Sequence, residues 1–130
     1  MIVVDSSVWI DYFNGTSTAQ TNLLDTLLGN ELIVIGDIIL VEVLQGFRKE
    51  KDFQQARKLL ESLFFQEMLG KDLAVKCVDN YRLLRKKGVT VRKTIDVIIA
   101  TFCITSNLPL LHSDKDFHPM EKHLSLQVLP

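Results

Sequence analysis

Short apolar runs alternate along this chain with longer stretches of helical spacing, and that alternation leaves few folds open. It is the pattern of a mostly parallel sheet covered by helices, because each parallel strand needs a long crossover before the next can form. Ile2-Val3-Val4 lacks polar alternation and reads as a strand buried on both faces. Leu32 to Ile35, a marginal Phe65 to Met68, Leu108 to His112 and Leu124 to Leu129 bring the sheet to four or five strands. Ser6 or Ser7 is placed to cap a short helix to Phe13, ended by Asn14-Gly15. Helical spacing recurs from Thr18 to Leu28, Ile38 to about Phe47 and Lys51 to Phe64. Asp72 is expected to cap a long helix to Lys87, stopped by Gly88, and Thr94 to open another that runs to Ile104.

At 130 residues, with 47% hydrophobic and 24% charged, the chain is expected to form one domain over residues 1–130 that folds without disulfides. Cys77 and Cys103 form no C-x-x-C pair and read as reduced core thiols. No apolar run reaches the ~18 residues of a membrane span, and MIVVDSSVW lacks the basic flank of a signal peptide. The expectation is a soluble, cytoplasmic protein.

Charge is distributed unevenly. Residues 1–47 hold six acids and no Lys or Arg, residues 48–93 hold thirteen basic and six acidic residues, and residues 94–130 hold two basic and four acidic ones. Such a chain either pairs its charges internally or presents an acidic pocket beside a basic rim.

The positions of the carboxylates favour the pocket. Asp5 ends the first strand in I-V-V-D, and Asp114 and Asp116 follow a later strand in L-L-H-S-D-K-D-F. Ligands bind open parallel sheets beyond those strand ends. Glu42 interrupts the apolar I-I-L-V-E-V-L, and Asp96 interrupts T-I-D-V-I-I-A-T-F-C-I near a helix start, so both should be occluded by packing. A buried carboxylate costs several kcal/mol unless it is protonated, paired or bound to a cation. Side-chain cations look like poor partners, since none precedes residue 48 and only Lys115 and Lys122 follow Asp96. A hard divalent ion, Mg²⁺ or Mn²⁺, would relieve the repulsion and suits oxygen ligands. His112, His118 and His123 match no zinc spacing. Carboxylate clusters of this kind serve phosphoryl chemistry by metal-activated water, without a nucleophilic side chain.

Four segments carry a resemblance. M-I-V-V-D-S-S-V-W-I-D-Y-F, I-L-V-E-V-L-Q-G-F-R, T-I-D-V-I-I-A-T-F-C-I and L-L-H-S-D-K-D-F together resemble the PIN-domain ribonucleases, specifically the toxin subunits of VapBC-type toxin–antitoxin pairs. The resemblance implies a three-layer α/β/α sandwich with a mostly parallel four- or five-stranded sheet. It implies a Mg²⁺- or Mn²⁺-dependent endoribonuclease acting on tRNA, rRNA or mRNA, homodimerisation, and a VapB-like antitoxin in the active-site groove. Asp5, Glu42 and Asp96 match the family's acids, and either Asp114 or Asp116 matches the closing position. Ser6, Ser7 and Ser113 all qualify as the hydroxyl beside the metal, with Ser7 and Ser113 preferred. Arg92-Lys93-Thr94 stands where members often carry apolar or small residues, leaving cations that could hold phosphate. Arg82, Arg85, Lys86 and Lys87, followed by Arg92 and Lys93, form either an RNA track or a solvated helix face. Trp9, Tyr12 and Phe13 suit a core or dimer contact better than base stacking.

Two other readings are weaker. A phosphatase or phosphoacceptor domain would need a D-x-D or paired acids after the first strand, where Ser6-Ser7 stands instead. A catalytically inactive PIN-like RNA- or protein-binding module would have no reason to keep a self-repelling acidic cluster.

Overall fold

A computed structural model describes residues 1–130. The elements run β1 (Ile2–Val4), α1 (Ser6–Phe13), α2 (Ala19–Leu27), β2 (Ile33–Gly36), α3 (Asp37–Leu44) and α4 (Glu50–Glu61). They continue with β3 (Phe64–Gln66), α5 (Lys71–Lys86), α6 (Thr94–Thr105), β4 (Leu110–Leu111), a 3-10 turn (Lys115–Phe117) and α7 (His118–Leu124). The sheet has four strands in the order β3-β2-β1-β4, every pair parallel. This is the α/β fold that the alternating pattern implies.

Every residue of β1, β2 and β4 is buried, so helices cover the central sheet on both faces. The helices pack in two groups, α1 to α4 in one and α5 to α7 in the other. A core of 26 residues joins sheet and helices, with Val3, Val34, Ile39, Leu84, Ile99 and Leu110 fully enclosed. Cys77 and Cys103 are buried free thiols within it. Gly36 ends β2 for lack of room rather than for its backbone angle: a Cβ there would stand 2.0 Å from the Sδ of buried Met68. No helix is long and apolar enough to cross a membrane.

Several boundaries differ from the sequence expectation. A fifth strand over Leu124 to Leu129 does not form. Leu124 closes α7, Ser125 turns left-handed at φ 62°, and only a parallel bridge between Leu110 and Val128 remains. Helix α7 itself was hidden by His118-Pro119, because a proline that breaks a helix interior is tolerated in the first turn, where it sits here. Asp72 does not cap α5, which begins at Lys71 behind Gly70. The stretch expected to be helical to Phe64 ends at Glu61, and Phe64 joins β3.

Candidate active site

Asp5 follows β1 directly and, in an extended conformation, caps α1: its Oδ2 accepts the Ser7 N–H at 3.0 Å. The cap is thus Asp5 and not Ser6 or Ser7, since the strand turns into helix without an intervening loop. The Asp5 N–H donates to the Leu111 carbonyl at 2.9 Å, and Ser113 N–H donates to Ser7 Oγ at 3.2 Å. These two bonds hold the end of β1 and the start of α1 against the loop after β4.

That loop carries Asp114 and Asp116. Asp114 caps the 3-10 turn, its Oδ1 accepting the Asp116 N–H at 2.9 Å, while its own N–H donates to His112 Nδ1 at 3.1 Å. A neutral imidazole with Nδ1 accepting carries its proton on Nε2, which lies 3.0 Å from Glu121 Oε2. His112 therefore braces the loop between α7 and Asp114. Sequence reasoning weighed the histidines only as zinc ligands and passed over this role, for which L-L-H-S-D offered no spacing signal.

Asp96 lies in the first turn of α6 and is 3% exposed, as is Asp5. Oxygens of Asp96, Asp114 and Asp116 come within 4.8 Å of one another, a group able to hold a metal ion. Asp5 and Glu42 lie outside that group but share its field. Burial raises the Glu42 carboxyl above its ordinary value, and the Asp5 charge raises it further, against the Ser6 hydroxyl and Lys93. Burial likewise raises Asp5, against hydrogen bonds from Ser7 and Ser6. Asp96 is pushed up to about 6, first by burial, with Lys93 opposing and Asp5 and Asp114 adding. Asp5 Oδ1, Glu42 Oε1 and Asp96 Oδ2 are buried without a hydrogen-bond partner. Unpartnered hard oxygens among mutually repelling carboxylates fit a divalent cation.

One compensating cation comes from the chain itself, contrary to the expectation that side-chain cations are poor partners. Lys93 Nζ reaches Asp114 Oδ2 at 3.0 Å and Asp96 Oδ2 at 3.5 Å. Arg92, Lys93 and Lys115 line an open cleft of about 360 Å³ with Asp96 and Asp116. Arg82, Arg85, Lys86 and Lys87 are exposed at the end of α5 and are not part of that cleft. Trp9 is fully buried and stacks on Phe13 at 5.8 Å, so its ring belongs to the core. Asp37 is structural: its Oδ1 accepts the N–H groups of Ile38 at 2.9 Å and Met68 at 3.0 Å.

A parallel α/β sheet with acids gathered beyond the ends of β1 and β4 defines the class of the molecule. The chain belongs to the PIN-domain family, whose model matches residues 2–122. It is 29% identical to ribonuclease VapC11 of Mycobacterium tuberculosis, over 98% of this chain and 96% of that protein. Its fold is shared with a chain in the crystal structure of VapBC2 from Rickettsia felis bound to a DNA fragment from their promoter. There the TM-score is 0.78 at 19% identity, covering 99% of this chain and 98% of the other. A chain in a toxin–antitoxin complex from Klebsiella pneumoniae superposes with a TM-score of 0.71 at 20% identity, covering 100% and 97%.

Proposed function

We propose that this protein is a metal-dependent endoribonuclease, the toxin of a type II toxin–antitoxin pair, and that its 130 residues act as a single cytoplasmic domain. The observation that carries the reading is the set of buried, unpartnered oxygens on Asp5, Glu42 and Asp96 beside Asp114 and Asp116. An inactive binding module would gain nothing from that cost. Family membership and the resemblance to a ribonuclease support the same conclusion.

Asp5, Glu42, Asp96, Asp114 and Asp116 are the candidate ligands, and their all-oxygen character favours Mg²⁺ or Mn²⁺. When bound, such an ion polarises a phosphoryl oxygen and acidifies water. The chain positions the reaction. The α1 cap and the first turn of α6 fix Asp5 and Asp96, and Ser7, bonded to the Ser113 N–H, keeps the loop of Asp114 against α1. Arg92 and Lys93 stand at the cleft to receive an RNA phosphate, with Arg82, Arg85 and Lys86 extending the basic surface along α5.

The partners that follow are an RNA substrate (tRNA, rRNA or mRNA), a VapB-like antitoxin and a second copy of this chain. The complexes named for VapBC2 and for Klebsiella pneumoniae support an antitoxin. An apolar groove of about 270 Å³ between α5 and α6, with Val78 more than half exposed, is available to a second copy.

The protein freed of antitoxin should cleave RNA with Mg²⁺ or Mn²⁺ and stop on chelation, as read by gel assay. Asp5→Asn should abolish cleavage while the circular dichroism spectrum persists. Full activity in that variant, or in excess chelator, would overturn the proposal.

A further inference from the structure

Lys93 sits where a cation is least expected. It is the N-cap of α6 and makes no side-chain cap there, and the positive end of a helix disfavours an ammonium. Its partners explain its place. Asp114 Oδ1 is already engaged by the Asp116 N–H, which leaves Oδ2 as the oxygen free for a ligand, and Lys93 Nζ takes it at 3.0 Å. Asp96 Oδ2, buried and without a hydrogen bond, is the second oxygen it approaches, at 3.5 Å. Two of the three carboxylates that come within 4.8 Å of one another are thus addressed by one ammonium.

We propose that Lys93 is the resident counter-ion of the acidic site, offsetting part of the charge of Asp96 and Asp114 in the metal-free protein and giving way when a divalent ion binds. The inference rests on the reading of these acids as a cation site and adds a competitor to it. A metal ion approaches carboxylate oxygens at about 2.0 to 2.1 Å, and an ammonium on the same oxygens would stand against it, cation to cation. Lys93 is free to leave: its side chain is 50% exposed and ends a flexible stem in open cleft. The exchange has two effects. The protein tolerates its clustered acids before metal arrives, and the departing ammonium stays at the mouth of the cleft beside Arg92 and Lys115, where an RNA phosphate would pass.

The test is calorimetric titration of Mn²⁺ into chelator-stripped wild type, Lys93→Met, Lys93→Gln, Lys93→Arg and Asp96→Asn, each checked by circular dichroism. Removal of the competing charge should tighten Mn²⁺ binding about tenfold in both Lys93→Met and Lys93→Gln, with Lys93→Arg close to wild type. The metal-free Lys93→Met protein should melt lower than wild type and gain more from added Mn²⁺. An unchanged or weaker affinity in both neutral variants, with binding lost in Asp96→Asn, would overturn the counter-ion while leaving the cation site standing. If wild type and the neutral variants all fail to bind Mn²⁺, or Asp96→Asn binds as well as wild type, the site and the counter-ion fall together.

Discussion

The inner wall of the acidic site and its rim use the same side chain in opposite ways. Inside, Asp5, Glu42 and Asp96 each carry a buried oxygen without a hydrogen-bond partner, that of Asp96 alone being approached by a cation, Lys93 at 3.5 Å, and burial raises all three carboxyls. At the rim, Asp114 also feels desolvation, but the Asp116 N–H and Lys93 outweigh it and hold its carboxyl below the ordinary value. The rim is therefore compensated by the fold, whereas the wall is compensated only in part, by Lys93 at Asp96, and Asp5 and Glu42 have no ion-pair partner. Rim acids of this kind are ordinary turn chemistry. Unsatisfied wall acids are costly to a fold, and a chain that carries three of them points to a ligand that offsets the cost.

The largest break in this contrast should come from comparing activity on the two sides. Asp96→Asn should lower RNA cleavage by more than the roughly 10- to 100-fold that loss of an outer metal partner brings. Asp116→Asn, at the partly exposed rim, should cost less than Asp96→Asn. Single-turnover rates at saturating Mn²⁺ measure both. Equal losses would mean that wall and rim serve as one ligand set; a harmless Asp116→Asn would leave Asp114 as the closing acid.

Much of this contrast was legible in the sequence, though unevenly. The wall acids stood out because Glu42 and Asp96 interrupt apolar stretches that helix packing must bury, and Asp5 ends a strand with no polar position. Parallel pairing followed from the alternation of runs and helices. Lys93 was not legible as a partner: its place three residues before Asp96 is plain, but its reach to Asp114 depends on how the loop after β4 folds against α6. The cap of α1 falls one or two residues before the serines that the sequence points to, since Asp5 is the cap as well as a proposed site acid, and sequence offers no way to weigh those roles. Leu124, Leu126 and Val128 alternate as a strand would, yet α7 claims the first and the left-handed Ser125 redirects the rest.

The second prediction concerns pH and is smaller. Asp96 rises from an ordinary 3.8 to about 6 in the folded protein, so across that interval the native state holds more protons than the unfolded chain. Stability in chelator is then greatest below the unfolded value and falls as pH rises through the interval, by roughly 2 to 3 kcal/mol from Asp96 alone. Asp5 and Glu42 act in the same direction, and Asp114, lowered by the rim, acts in the other. Urea melts between about pH 4 and pH 7 should slope downward for wild type and flatten for Asp96→Asn. A wild-type curve that instead climbs over this range would show the wall acids already compensated, removing the difference from the rim.

The smallest effect separates the two duties of Asp5. Its Oδ2 caps α1 through the Ser7 N–H at 3.0 Å, while its Oδ1 faces no partner. Asn in its place keeps a carbonyl for the cap and removes the charge that raises Glu42 and Asp96, so the metal-free protein should melt at or above the wild-type temperature. Ala removes the same charge but also the cap, a loss of about 1 kcal/mol. The gap between Asp5→Asn and Asp5→Ala in thermal melts with chelator thus measures the cap, and the gap between Asp5→Asn and wild type measures the uncompensated charge. If Asp5→Asn melts well below wild type, the carboxylate is stabilising the fold without metal, and the inner wall is no more strained than the rim.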